Sequence, residues 1–470
     1  MKRCVKLSLI LTPAVLIFSF GIFTTVRAVK ISQCDSAVPL TYEQELELNS
    51  FLKTKYSSRN QILKPLPYTL TPSSLELLCE SAIVIDTSNG NILYEKNSDQ
   101  IIPPASMTKL FSMYVVDNAV AQGKISYQTE IVPPKESWAC NMPPHSSLMF
   151  LGNNQKLSVA ELLSGLSVAS GNDAAYALAY ILFGNMDAFV QAMNQTADYY
   201  GLKNTHFVES SGYSELNRTT AREMAAFSTI YINQHPESLE NFHSLQSFTY
   251  PKQSNLTNGY RVKSHEFSEG FPETITMPIT QRNTNPLLGV MDGCDGLKTG
   301  YIDESGYNLA LTAKRHGTRF LSVTMKGPGK NPKDGNEGRI HDGKVLMDWA
   351  FSSFADYKDM TRVKPYFLRT CGGKEIGVQH VPAFNPGSIT VPFIKGKSPE
   401  DSAQNVKVVT NIPSYLKGDI SYGDVLGSVD FILEDYTLDS VPLVADRTVK
   451  KSNFLVRLAD KIIYALIESL

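Results

Sequence analysis

The chain has 470 residues, 42% hydrophobic and 19% charged, with 44 basic against 46 acidic side chains and a net charge of −2. That length exceeds an ordinary single domain and predicts two or three. The near-neutral balance offers no field that would select nucleic acid or another acidic polymer as a partner.

Lys2, Arg3 and Lys6 form a positive start, Leu7 to Phe23 carries no charge, and Val26-Arg27-Ala28 offers small or branched residues to a signal peptidase. Residues 1–28 therefore read as a secretory signal cut near Ala28. An uncleaved anchor is the competing reading, because the apolar run is only slightly short for a span. Both readings export the body of the protein. Of the six cysteines, loss of Cys4 with the leader leaves Cys34, Cys79, Cys140, Cys294 and Cys371. None forms a Cys-x-x-Cys, which argues against a zinc site, while one or two disulfides of unassigned pairing are open in an oxidising compartment.

Residues 29–79 form a polar extension with one candidate helix in TYEQELELNSFLKTKY. SAIVIDTSNGNILYEK then reads as two strands turning at Asn89-Gly90. A helical pattern follows: Ala105 to Gln122, stopped by Gly123; SVAELLSGLSV, opened by the Ser158/Glu161 capping box; and Asn185 to Tyr200, ended by Gly201. Pro251 to Thr276 is polar and weakly periodic, a long loop or small flap. GCDGLKTGY supplies a strand, and GYNLALTAKRHGTRFLSVTM a hairpin turning at His316-Gly317. Strands from both ends thus enclose a helical insertion, which makes residues 80–356 an α+β domain with an antiparallel sheet. Residues 357–449 alternate short apolar runs with turn signals and read as a small all-β domain. In residues 450–470, Leu455, Leu458, Ile462, Leu466 and Leu470 recur at helical spacing opposite Arg457, Lys461, Tyr464 and Glu468. That amphipathic helix is expected to lie on a membrane surface, with docking on the β domain as the alternative.

Ser-x-x-Lys occurs three times, at Ser50/Lys53, Ser106/Lys109 and Ser414/Lys417, and Ser-x-Asn at Ser58/Asn60 and Ser170/Asn172; Lys-Thr-Gly occurs once, at Lys298-Thr299-Gly300. Each motif alone is cheap. Their order and setting are not. Ser106-x-x-Lys109 opens a helix behind Pro103-Pro104, Ser170-Gly171-Asn172 falls in a break between helices, and Lys298-Thr299-Gly300 lies on a strand. Residues three apart share a helix face, so the Lys109 amine reaches the Ser106 hydroxyl. A serine needs an adjacent base to attack a carbonyl. An unperturbed lysine would cost roughly 4.6 kcal/mol to be neutral at pH 7. Burial and a second cation, here Lys298, lower that cost.

These three elements, with the SGNDAAYALA run, GLKNTHFVESSGY, TAREMA and ITQRNTNPLLG, resemble the low-molecular-mass penicillin-binding proteins, the serine-type D-alanyl-D-alanine carboxypeptidases of peptidase family S11. The likeness is close over about 80–355 and looser over the β domain and terminal helix. It implies a penicillin-binding/β-lactamase-like catalytic domain and a hydrolase that removes the terminal D-alanine from peptidoglycan stem peptides. Ser106 would be the acylated nucleophile and Lys109 its base. Ser170 would relay a proton to the leaving amine, and Asn172 would hold the substrate backbone and Lys109. Lys298 and Thr299 would meet the substrate carboxylate, Gly300 would keep the strand edge open, and the N–H groups of Ser106 and Tyr301 would form the oxyanion hole. Arg339 stands where the family carries a carboxylate-binding arginine, against a solvated surface arginine as the bland reading. β-Lactams would be bound as trapped acyl-enzymes. No metal or cofactor is implied. The setting would be the bacterial periplasm or cell envelope, peripheral on the outer side of the cytoplasmic membrane.

Departures are Ile302, where the family usually has threonine, the long Pro251–Thr276 loop, and the extension itself. A class A β-lactamase would need a glutamate where Tyr213 begins Tyr-Ser-Glu-Leu-Asn. A penicillin-sensing module without turnover would need spanning helices, and a degenerate structural protein would not keep the full motif set. A D,D-endopeptidase acting on cross-links remains the alternative within the family, since only the leaving amine differs.

Overall fold

A computed structural model of the chain describes residues 19–70, 74–263, 270–394 and 396–469. The positive start and most of the leader's apolar run, the middle of the Pro251–Thr276 loop, and Leu470 lie outside them. Two compact units emerge, one of Ile62–Asp356 with Pro392–Glu400, the other of the remaining segments.

The first unit is built on a six-stranded sheet. Its strands are β1 (Lys64–Pro65), β2 (Ser81–Asp86), β3 (Asn91–Lys96), β4 (Cys294–Ile302), β5 (Gly306–Arg315) and β6 (Thr318–Gly327), in the order β1-β3-β2-β6-β5-β4. All pairings are antiparallel except the two-residue β1 edge. Both expected hairpins form, and His316 and Gly317 take positive φ at the second. The sheet is covered on both faces, which explains the unbroken apolar run Ala82–Ile85. Ile83 and Ile85 face the helical insertion, while Ala82 and Val84 face Leu346, Met347 and Ala350 of a long helix, Pro332–Ser353. Each such buried isoleucine, valine, leucine or methionine contributes about 1.5–3 kcal/mol.

The insertion between β3 and β4 holds α1 (Lys109–Ala121), α2 (Val159–Val168), α3 (Asn172–Phe183), α4 (Met186–Tyr199) and α5 (Ala221–Gln234). The Ser158/Glu161 capping box is complete. The Pro251–Thr276 segment joins a small hairpin, Ser247–Tyr250 with Ile279–Arg282, and is pinned by Gly152–Lys156: Asn153 N–H donates to the Glu273 carbonyl at 2.6 Å and Lys156 N–H to that of Asn255 at 2.7 Å.

The second unit holds a six-stranded sheet formed from residues 366–445, as expected of the all-β domain. The polar extension divides between the units: residues to Gln61 belong here, and Ile62 onward to the first. Its helix, Tyr42–Lys55, buries Leu48 and Leu52 against Ala383 and Val444, and Arg59 pairs with Asp439 at 2.6 Å. A helix over 19–33 packs on the terminal helix Phe454–Glu468. There Ile31 is buried with Ile463 and Tyr464, and the Arg27 guanidinium meets both oxygens of the fully buried Asp460 at 2.9 and 3.0 Å. The terminal helix thus docks through Ala459, Asp460, Ile463 and Tyr464, and leaves Leu455, Leu458, Ile462 and Leu466 exposed. Among the described residues the five cysteines are unbridged and no helix is long and apolar enough to cross a membrane.

Candidate active site

Pro103-Pro104 delivers the chain to Ala105, whose φ of 48° throws it into a 3-10 turn, Ala105–Thr108, that runs directly into α1. Ser106 therefore sits in the tight turn ahead of the helix rather than in its first regular turn. Lys109 is the first residue of α1. Its Nζ lies 2.9 Å from Ser106 Oγ, 2.8 Å from Asn172 Oδ1 and 2.5 Å from the Ser211 carbonyl oxygen. The side chain is wholly buried, and burial brings its pKa down to about 7, with the charges of Glu209 and Asp173 opposing the fall.

Ser170 occupies the break between α2 and α3 with φ 57°, and Asn172 is the first residue of α3. Asn172 is fixed from three sides: Lys109 meets its Oδ1, its Nδ2 donates to Ser146 Oγ at 3.1 Å, and its N–H donates to the Ser147 carbonyl at 2.7 Å. On β4, Lys298 Nζ lies 2.9 Å from Ser170 Oγ and 3.1 Å from the Thr299 carbonyl. Lys298 is buried too, and its pKa falls well below the ordinary lysine value through burial first, then the charges of Lys109 and Arg339. The Thr299 hydroxyl donates to Thr284 Oγ1 at 2.7 Å.

β4 ends the sheet, so one of its edges is unpaired within it. The Ser106 turn lies against this strand. A Cβ on Gly300 would stand 2.5 Å from the Pro104 carbonyl oxygen. Gly212 grips the same turn from the other side, where a Cβ would come 1.8 Å from the Ala105 carbonyl oxygen. Ser106, Asn172, Tyr213, Tyr301 and Ile302 line a cleft of about 550 Å³. The Tyr301 ring stacks on Tyr307 with 4.3 Å between centroids. Arg339 is only 8% exposed, which removes the surface reading. It donates to the Gly300 carbonyl at 2.6 Å and the Asn308 carbonyl at 3.0 Å, bracing β4 against β5.

The other two Ser-x-x-Lys pairs belong to the second unit, Ser50/Lys53 on the extension helix and Ser414/Lys417 in the β domain. Sequence reasoning missed the groups that hold the site together. Asp173 accepts N–H bonds from Met149, Phe150 and Leu151 at 2.8–3.0 Å, and burial raises its pKa to about 6 against those donors. As the single acid in the apolar stretch SGNDAAYALA it carried a legible signal. Glu209, the Ser211 carbonyl and Thr284 carried none, because their roles depend on loops meeting across the fold.

The chain matches the family model described as D-alanyl-D-alanine carboxypeptidase over residues 68–329, and that of the penicillin-binding protein 5 C-terminal domain over 377–451. D-alanyl-D-alanine carboxypeptidase DacA of Haemophilus influenzae is 32% identical over 399 residues, 82% of this chain and 88% of that protein. DacA of Escherichia coli K12 is 30% identical over 84% of this chain and 89% of its own. Among solved structures, penicillin binding protein 5 from H. influenzae superposes with TM-score 0.63 at 30% identity, covering 82% of this chain and 100% of that one.

Proposed function

The chain belongs to the D-alanyl-D-alanine carboxypeptidase family, and from that premise we propose that it removes the terminal D-alanine of peptidoglycan stem peptides through an acyl-enzyme on Ser106. The observation that carries the reading is the buried Lys109 amine, 2.9 Å from Ser106 Oγ and with its pKa near 7. Such an amine is neutral often enough at neutral pH to accept the serine proton. The substrate lies along the open edge of β4 as an added strand, its main chain bonding to the edge and to Asn172. Lys298 and Thr299 receive its terminal carboxylate. As Ser106 Oγ attacks the penultimate carbonyl, its proton passes to Lys109. The developing oxyanion rests on the N–H groups of Ser106 and Tyr301. Ser170, bonded to Lys298, relays the proton taken up by Lys109 to the departing amine of D-alanine, so that Lys109 is neutral again. Water then attacks the ester and gives its proton to Lys109, which returns it to Ser106 Oγ as the shortened peptide departs.

Arg339 acts through the Gly300 carbonyl that it holds, tuning the strand on which the carboxylate is bound. A β-lactam acylates Ser106 by the same route, and its tethered leaving group delays hydrolysis. Cleavage of cross-links is less well supported, because the relatives that span both units carry the carboxypeptidase name. The exposed Leu455, Leu458, Ile462 and Leu466 support peripheral attachment to a membrane outside the cytoplasm, reached by the exported chain.

The test is release of free D-alanine from a peptide ending in D-Ala-D-Ala, by the wild type and by Ser106→Ala. Release by the wild type alone is expected. No release from either, with a fluorescent penicillin still labelling Ser106, would refute carboxypeptidase action.

A further inference from the structure

The Lys109 amine is held from behind by a loop, and one carboxylate organises that loop. Both oxygens of Glu209 are occupied by donors. Oε2 accepts the Ser211 N–H and the Ser211 hydroxyl, each at 2.6 Å; Oε1 accepts the Gly212 N–H at 2.6 Å, Asn217 Nδ2 at 2.8 Å and the Ser214 N–H at 3.4 Å. The peptide so clamped puts its Ser211 carbonyl 2.5 Å from Lys109 Nζ and its Gly212 against the carbonyl of Ala105, next to the nucleophile. We propose that Glu209 is a positioning residue for Lys109: its carboxylate fixes the Ser211 carbonyl on the amine and places a negative charge facing that amine. The proposal rests on Lys109 being the base for Ser106.

The charged groups around Lys109 come from four elements. α3 brings Asp173, the loop brings Glu209, β4 brings Lys298, and the Pro332–Ser353 helix brings Arg339 beyond it. Burial drives the amine toward neutrality; Lys298, itself pushed well below the ordinary lysine value, does not act as the second cation expected from the sequence. Glu209 and Asp173 work the other way and keep it basic enough to take a proton from a hydroxyl. Asp173 is spent on the backbone of Met149 to Leu151, so Glu209 is the carboxylate joined to Lys109 through a single carbonyl. A glutamine cannot replace it, because one end becomes an NH2 aimed at N–H donors and the charge is gone.

The experiment is the second-order rate of Ser106 acylation by a fluorescent penicillin, from acid to alkaline pH, on the full chain as wild type, Glu209→Gln and Glu209→Asp. Glu209→Gln is expected to lower the plateau about tenfold and to move the acid limb down by at least about half a pH unit. Glu209→Asp keeps the charge and is expected to restore the limb to its wild-type position with a reduced plateau. A Glu209→Gln profile with the wild-type limb overturns the proposal, since a purely structural clamp would lower the plateau alone. A limb displaced equally in Glu209→Asp overturns it as well. If Glu209→Gln does not fold, the neutral Glu209→Thr, whose hydroxyl can still accept from the loop, takes its place: a lowered plateau with the acid limb moved down supports the assignment, and a limb in the wild-type position overturns it. Failure of the underlying reading looks different, because Lys109→Ala would then acylate at the wild-type rate.

Discussion

Substituting Gly300 by alanine tests the geometry of the site through one added methyl group. Gly300 is not in the left-handed region, so alanine costs nothing in backbone conformation there, and the effect is steric. The new Cβ would stand 2.5 Å from the Pro104 carbonyl oxygen, 3.1 Å from the Ser106 nitrogen and 3.2 Å from the Ala105 Cβ. Relief to an ordinary 3.4 Å contact requires the Ser106 turn and β4 to separate by about 0.9 Å, which moves the nucleophile relative to Lys298 and the open strand edge. A displacement near 1 Å in a reacting group costs on the order of 100-fold in rate. Overpacking of this kind costs about 1–3 kcal/mol of stability. The assay is penicillin acylation and D-alanine release at one pH, with a thermal melt to show that the variant is folded. A folded Gly300→Ala enzyme within about threefold of the wild-type rate would refute the close approach of β4 and the turn as a determinant of activity.

The pH dependence follows from Lys109. The amine must be neutral to act, so acylation should climb about tenfold per pH unit on the acid side and level off above about 7. Lys109→Arg, which stays charged, should not acylate; a wild-type rate still climbing at alkaline pH would contradict the depressed value. Arg339→Lys keeps the charge but loses the planar fork that holds two carbonyls, and kcat/KM for a D-Ala-D-Ala peptide should fall about tenfold. Cutting at Ala28 would strip Arg27 from the buried Asp460, leaving that carboxylate with the Gly372 N–H at 2.7 Å. A chain beginning at Val29 should therefore melt below one that retains Arg27, by up to about 3–5 kcal/mol in stability, and Asp460→Asn should recover most of the loss.

The sequence was legible where one residue type had one physical reason to be present. SAIVID had to be a strand, Asn89-Gly90 and His316-Gly317 had to turn, and Ser158 with Glu161 had to cap a helix. The meeting of Ser106, Lys109, Ser170, Asn172 and Lys298 was legible because three cheap motifs stood in the right order on the right elements. What stayed hidden was set by long-range packing. Residues to Gln61 joined the second unit and Ile62 onward the first, although the extension reads as one polar stretch. Tyr464, placed by spacing on the polar side of the terminal helix, is buried, because the helix docks through a narrow face and leaves its leucines out. Gly300 was expected to leave room for a substrate; it first leaves room for the backbone of Pro104 and Ser106.

The catalytic pocket is an unfavourable place in its own fold. Two lysines are wholly buried; burial depresses the charged form of both, and the charge of Lys109 adds to the effect on Lys298. Both lysines unfold to the ordinary value, so the native state releases protons that the unfolded chain retains. The contribution of Lys109 to stability therefore falls as the pH drops from the unfolded lysine value to its native value near 7 and is level below it, and that of Lys298 likewise falls as the pH drops below the unfolded lysine value. The fold tolerates this because every acceptor around the amines is itself tied down. Asn172 is held by Ser146 and Ser147, the Ser211 carbonyl by Glu209, and the strand of Lys298 by Arg339. Rigid acceptors let a neutral amine sit in low dielectric without becoming an unsatisfied polar group. The same rigidity keeps it from turning away from Ser106. Burial makes the lysine a base, and the surrounding clamps keep that base aimed, so stability lost at the centre is recovered as catalytic geometry.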